Sequence, residues 1–163
     1  MQHYKELFHL EKHVEGGYYR SFFRSDHEVI PCNERYQHTK RMAGSSIYYL
    51  LEKNDYSRWH RMRSDEIWHY YDGESIVDIF VIESVDTIHL YQLGNPRIQP
   101  DTSFQVAVKG GHWFAAKLRD QTSFALMGCT VFPGFEEEDF KLGDENELMK
   151  CYPLLASQIQ QFL

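Results

Sequence analysis

Apolar and polar residues alternate along most of the chain in short runs, the period-two pattern of strands with one buried face. The runs cover 18–24, 47–51, 58–62, 66–71, 75–83, 87–92, 104–108, 113–118 and 123–131. Turn formers punctuate them: Gly16-Gly17 before the first, Asp72-Gly73 after the fourth and Leu93-Gly94-Asn95-Pro96 after the sixth. Many short strands separated by such turns predict an all-β sandwich or closed barrel. In the first run Tyr18, Arg20, Phe22 and Arg24 share one face, and Tyr19, Ser21, Phe23 and Ser25 share the other. Residues 26–44 are polar, contain Pro31, and read as a loop with at most one edge strand.

Helical patterns are confined to the two ends. Residues 4–10 suit one short amphipathic helix with Leu7, Phe8 and Leu10 buried. Asp144 with Glu147 three residues on has the form of a capping box, opening a helix that ends near Cys151. Pro153 suits the first turn of a second helix, with Leu154, Leu155, Ile159, Phe162 and Leu163 on its apolar side. Without repeats or a low-complexity linker, residues 1–163 read as one domain: a barrel over about 14–135 and C-terminal helices over about 144–163.

Composition supports this picture and removes some functions. Aromatics make up 15% of the 163 residues, a load that packs well on pleated surfaces. Lys and Arg number 17 against 24 Asp and Glu, a formal charge of −7, so neither a nucleic-acid nor an anionic-membrane partner is expected. The acidic run Glu136-Glu137-Glu138-Asp139 reads as a solvated loop face. Cys32, Cys129 and Cys151 are odd in number and lack CxxC spacing, which argues against a disulfide framework or zinc knuckle. With no signal-peptide pattern and no apolar run of roughly 18 residues, a reducing cytoplasm is the expected location.

The stretch 58–73 carries the chemistry. His60 and Met62 lie two apart and share a strand face, a turn follows at 63–65, and Glu66, Trp68 and Tyr70 share the facing side of the next strand. His60 and Glu66 then point into one space, while His69 points away. This stretch resembles the first cupin motif, His-x-His followed by a Glu and, six residues later, a Gly: His60, Glu66 and Gly73 match, and Met62 replaces the second His. The second motif, Pro-x-Gly-x-x-His, has its counterpart in 109–114, where Gly111 matches, Lys109 stands for the Pro and Phe114 for the His. The runs 13–20, 64–69 and 128–135 resemble the cupin-5 family, a domain of unknown function, over about Tyr4 to Pro153.

The resemblance implies a cupin double-stranded β-helix (a jelly-roll barrel) with short flanking helices, assembled as a homodimer. In the superfamily three His and one Glu bind a metal; with Met62 and Phe114 in two of those places, no metal and no cofactor are expected. His112 is the one substitute in reach, although its place beside a Gly pair suits a solvent-facing side chain. The nearest characterised relatives are sugar-nucleotide epimerases, in which a His removes a proton beside a sugar carbonyl and a Tyr protonates the opposite face. Carried over, His60 becomes the base; no local motif fixes the Tyr, and Tyr70 and Tyr48 are the pocket candidates for the acid.

Glu66, Met62, Arg20, Arg24, Trp68 and Phe114 complete the expected pocket, which takes a small polar, carbohydrate-like molecule. The plainer reading has His60 and Glu66 bracing the barrel and Arg20 and Arg24 as rim charges. His13 and Glu15 are expected to organise a turn rather than react, and Cys129 to be a small buried apolar residue. The expected function is a metal-independent isomerase or epimerase; a metal-dependent cupin enzyme and a non-catalytic binder of small ligands are the alternatives.

Overall fold

The computed structural model describes residues 2–163. Helix α1 (Gln2–Leu7) is followed by β1 (Glu11–Lys12), β2 (Tyr18–Arg24), β3 (Glu28–Val29), β4 (Arg41–Met42), β5 (Ser45–Glu52), β6 (Tyr56–Met62) and β7 (Asp65–Gly73). Then come β8 (Val77–Ile82), β9 (Ile88–Leu93), β10 (Gln105–Val108), β11 (Trp113–Leu118), β12 (Phe124–Phe132) and β13 (Phe140–Leu142). Helices α2 (Glu145–Cys151) and α3 (Ala156–Ile159) close the chain. The strands form a six-stranded sheet in the order β1-β2-β5-β12-β7-β10 and a five-stranded sheet in the order β13-β6-β11-β8-β9. Every pairing between these strands is antiparallel. The two sheets face each other as a jelly-roll barrel, the all-β fold with short flanking helices that the sequence implies.

The barrel interior is filled by inward residues of both sheets, among them Tyr49, Leu51, Trp68, Met127, Ile79, Val81, Phe114 and Leu118. A second cluster lies outside the five-stranded sheet, where Trp59, Trp113 and Ala115 pack beneath Leu148, Leu155, Ile159 and Phe162. Strands β6 and β11 are thus covered on both faces, which explains why Trp59 and His60 are both buried although they point in opposite directions. The indole Nε1 of Trp59 donates to the carbonyl of Ile159 at 2.9 Å, tying the C-terminal segment to the sheet. Each fully buried side chain of that segment contributes about 1.5–3 kcal/mol by burial. Asp144 caps α2 as its sequence predicts, its side chain accepting from the Glu147 amide at 2.9 Å.

Three local expectations change, the first being that residues 26–44 carry two short paired strands, β3 and β4, in place of at most one edge strand. The first helix stops at Leu7, because His9 adopts a left-handed φ of 52°; Leu7 is then 53% exposed, and Phe8 stacks on Tyr48 with ring centroids 4.4 Å apart. The β2–β5 register shifts between Ser21 and Phe23, a β-bulge that leaves Phe22 without an opposite residue. The extra residue reverses the parity of everything after it. Tyr19 and Ser21 face inward opposite Tyr49 and Ile47, and Arg24, opposite Ser45, now joins them. Arg20 stays on the outer face, so the expectation that both arginines share one face fails.

Candidate functional site

A cavity of about 650 Å³ opens at one end of the barrel, lined by His13, Glu15, His60, Met62, Glu66 and Cys129 among others. Pockets of roughly this size hold small organic ligands. The inner lining comes from four strands of opposite sheets, which fixes its side chains on rigid elements: Ile47 (β5), His60 and Met62 (β6), Glu66 (β7), and Cys129 and Val131 (β12).

Glu15 reaches this cavity through the turn before β2. Gly16 has φ +117°, and a Cβ there would sit 2.0 Å from the carbonyl oxygen of Tyr56. Only glycine permits that approach. The turn is held against the barrel by the Arg58 amide donating to the Glu15 carbonyl at 2.8 Å and by the Tyr49 hydroxyl donating to the Gly16 carbonyl at 2.8 Å. Glu15 is consequently only 6% exposed. Its Oε1 accepts from the Ser57 hydroxyl at 3.1 Å, and its Oε2 lies 3.3 Å from His60 Nε2 and 3.6 Å from His13 Nδ1.

His60 Nδ1 is 2.7 Å from the carbonyl oxygen of Arg58. A carbonyl only accepts, so Nδ1 carries the hydrogen in either charge state of the ring. In the neutral ring Nε2 therefore turns a lone pair toward Glu15 Oε2, an arrangement that one proton between the two atoms relieves. The ring is clamped by Phe114, with centroids 4.0 Å apart, and by Phe140 at 5.7 Å. At His13 the polarity is reversed: Nδ1 accepts from the Glu15 amide at 3.3 Å, so the ring's hydrogen is on Nε2. Burial holds His13 below its ordinary value of 6.5, which keeps it neutral.

Glu66 is 7% exposed and paired on β7 between Val131 and Val108. Burial is the main cause, and the charge of Glu15 the second, of a carboxyl pushed up from 4.5 to about 8; a hydrogen bond with Cys129 works in the other direction. Glu66 is thus a neutral acid at pH 7. Burial, with the nearby Glu66 and Glu15 carboxyls, also raises the Cys129 thiol well above its ordinary range.

The sequence places His60, Glu66 and Met62 in one pocket, and the structure brings all three together. His60 and Glu66 are not neighbours across a hairpin, however. The short link at Arg63 and Ser64 passes from the five-stranded to the six-stranded sheet, so the two side chains face each other from opposite walls. The carboxylate against His60 is Glu15, which sequence reasoning assigned to a turn. The Gly16-Gly17 pair was the available signal, since two consecutive glycines mark a close backbone approach.

Besides Arg20 on the outer face, three expected pocket residues lie elsewhere. Trp68 is fully buried in the core, edge-on to Tyr49 and Phe114. Phe114 stands behind His60 rather than in the cavity lining. Tyr70 is two strand positions beyond Trp68 on the same face, about 13 Å along β7 from Glu66. Its hydroxyl donates to the Gly73 carbonyl at 2.6 Å, and burial pushes it up to about 12. Tyr48 lies on the outer sheet face between Phe22 and Tyr71. Neither tyrosine borders the cavity.

The metal set of the superfamily does not fit these residues. Of its four positions, Met62 offers a thioether and Phe114 no donor, and His60 Nε2 is directed at Glu15. His112 is exposed on the turn before β11, its Nδ1 3.2 Å from the Lys109 carbonyl oxygen. Among the described residues no group of three or more His, Cys, Asp or Glu side chains is arranged to hold a metal ion.

A family model described as Cupin superfamily (DUF985) matches residues 2–143. The structure is similar to that of a hypothetical protein from Leishmania major, at 28% identity and a TM-score of 0.88, over 99% of this chain and 97% of that one. It is also similar to the crystal structure of a Shewanella oneidensis protein, at 32% identity and a TM-score of 0.85, over 99% and 95% of the two chains. A cupin 2 conserved barrel domain protein from Rhodopseudomonas palustris shares the fold, at 14% identity and a TM-score of 0.55, over 94% and 87%. No match was found among curated proteins.

Proposed function

The chain belongs to the DUF985 family of the cupin superfamily, and from that premise we propose that its barrel cavity moves a proton on a small, polar, carbohydrate-like molecule. The observation that carries the reading is the pair of opposed acid–base positions. On one wall, His60 Nε2 and Glu15 Oε2 stand 3.3 Å apart with room for one shared proton. On the facing wall, Glu66 holds a proton at neutral pH. A proton acceptor and a proton donor on facing walls of one cavity are the arrangement that such a transfer needs.

In this reading a C–H bond beside a substrate carbonyl breaks, its electrons pass into the enolate, and its proton comes to rest between His60 and Glu15. Glu66 then delivers its own proton to the opposite face, which inverts the carbon or shifts the double bond. Met62, Ile47, Val131 and Phe140 keep the walls between these groups apolar, where electrostatic interactions are stronger than in water. Glu66 takes the acid role for which Tyr70 and Tyr48 were the candidates. The residues supply both proton positions without a metal.

Replacing His60 with Ala is expected to abolish turnover while preserving the fold, checked by unfolding curves and by activity on a panel of keto and aldo sugars. Unchanged turnover in a folded His60→Ala variant would sink the proposal. A second copy of the chain is part of the same reading. Phe22 is 69% exposed and Phe23 53%, with Tyr71 at 53% on the same sheet, a larger apolar patch than scattered surface residues provide. Sedimentation at micromolar concentration tests it, and a monomer would rule it out. Cys32, Cys129 and Cys151 are all free thiols, which agrees with a reducing cytoplasm; cell fractionation tests that location. Among the described residues no helix is long and apolar enough to cross a membrane.

A further inference from the structure

The cavity has a second compartment. A neighbouring cavity of about 670 Å³ shares Arg24, Phe135 and Glu137 with the inner one and continues along Lys40, Arg41, Glu136 and Glu138. The cations of this region are engaged, with one exception. Lys40 pairs with Glu28 at 2.8 Å. Arg41 is buried against Asp139 and Glu138, at 2.8 and 2.5 Å. Lys12, on the inner lining, faces Asp55 at 3.8 Å and the Tyr18 ring at 3.9 Å. The exposed side chain of Arg24 alone among these has no ion pair, hydrogen bond or ring contact among the described residues.

Its position is built by the backbone. Without the bulge at Phe22, strand parity would turn Arg24 outward with Arg20; the extra residue aims it at the seam between the two compartments. Bulges beside functional sites commonly re-aim a side chain in this way. A planar guanidinium with five donors and no partner is suited to a carboxylate or a phosphate. Glu137, which lines the same seam, is acceptor-only when ionised and suits hydroxyl groups.

We propose that the molecule taken by this cavity is a hydroxylated acid, a sugar acid or sugar phosphate, whose anionic group pairs with Arg24 while its carbonyl end lies between His60 and Glu66. The proposal rests on the inner cavity being the substrate seat and adds the charge of the substrate. Arg24 is a specificity-determining residue and takes no part in proton movement.

Calorimetric titration with D-glucuronate, D-glucose 6-phosphate and uncharged D-glucose tests it in the wild-type protein and in Arg24→Gln, Arg24→Lys and His60→Ala. At least one charged sugar is expected to bind about tenfold or more tighter than glucose, the size of a charge-assisted hydrogen bond. Arg24→Gln should erase that preference, Arg24→Lys should restore part of it, and His60→Ala should leave it in place. Whichever charged sugar shows the preference identifies carboxylate or phosphate as the anion. Equal binding of charged and uncharged sugars, a preference that survives Arg24→Gln, or no Arg24-dependent binding at all would overturn the proposal. Turnover of an uncharged sugar that needs His60 but not Arg24 would also overturn it, while leaving the proton-transfer reading intact.

Discussion

Replacing Glu66 with Gln keeps the shape of the buried carboxyl but removes its ability to ionise, and stability should respond in a pH-dependent way. In the folded protein the carboxyl titrates at about 8, against an ordinary value of 4.5. Below 4.5 both folded and unfolded chains hold the proton, and the group's contribution is fully present. Between 4.5 and about 8 only the folded chain keeps it, so stability falls with rising pH by about 1.4 kcal/mol per pH unit. Across that interval the loss reaches at most about 5 kcal/mol, which is large beside a typical total of about 5–15 kcal/mol. Above pH 8 the contribution is gone.

Urea unfolding of both proteins from about pH 5 to about pH 9 reads this directly, because titrating groups that do not interact with Glu66 cancel in the difference. His13 is one such group: burial lowers it, so its contribution is present above 6.5 and fades as the pH falls. The Glu66→Gln variant should gain on the wild type steadily as pH rises, and be the more stable protein at pH 9. Parallel curves across the whole range would refute the claim that Glu66 is held protonated by its surroundings.

Two further substitutions probe how the cavity is built. Gly16→Ala places a methyl group 2.0 Å from the Tyr56 carbonyl oxygen at φ +117°; a loss of about 3 kcal/mol or more is expected, with Glu15 drawn away from His60, read by denaturant unfolding and by the His60 imidazole resonances. Asp139→Ala leaves Arg41, 6% exposed, without its buried partner and also removes the 3.0 Å contact to Arg63. A cost of about 3–5 kcal/mol is expected by thermal or urea unfolding, as for one partner removed from a buried ion pair, and an unchanged midpoint would show that the pair contributes nothing.

Much of this architecture was legible in the chain. Strand alternation gave β2 and β11 their full extents, and Asp144 with Glu147 marked the start of α2. The spacing of His60, Met62 and Glu66 located the cavity. Other features were hidden because they depend on the third dimension. A bulge is invisible in a period-two pattern, so the divergence of Arg20 and Arg24 was not readable. Which sheet a strand joins is not encoded in a two-residue link, and His60 was matched with Glu66 instead of Glu15. Tyr70 shares a face with Glu66, as its parity says, but parity does not measure depth, and Trp68 fills the barrel between them.

The central claim is that this cavity moves a proton rather than only holding a ligand. It is tested most directly by incubating the protein in deuterium oxide with keto and aldo sugars and their acids, and following the hydrogen beside the carbonyl by NMR. Loss of that hydrogen signal with the wild-type protein, and its persistence with His60→Ala, is the predicted result. A ligand that shifts the His60 resonances, and so occupies the cavity, yet keeps that hydrogen indefinitely would contradict the account and leave the protein a binder.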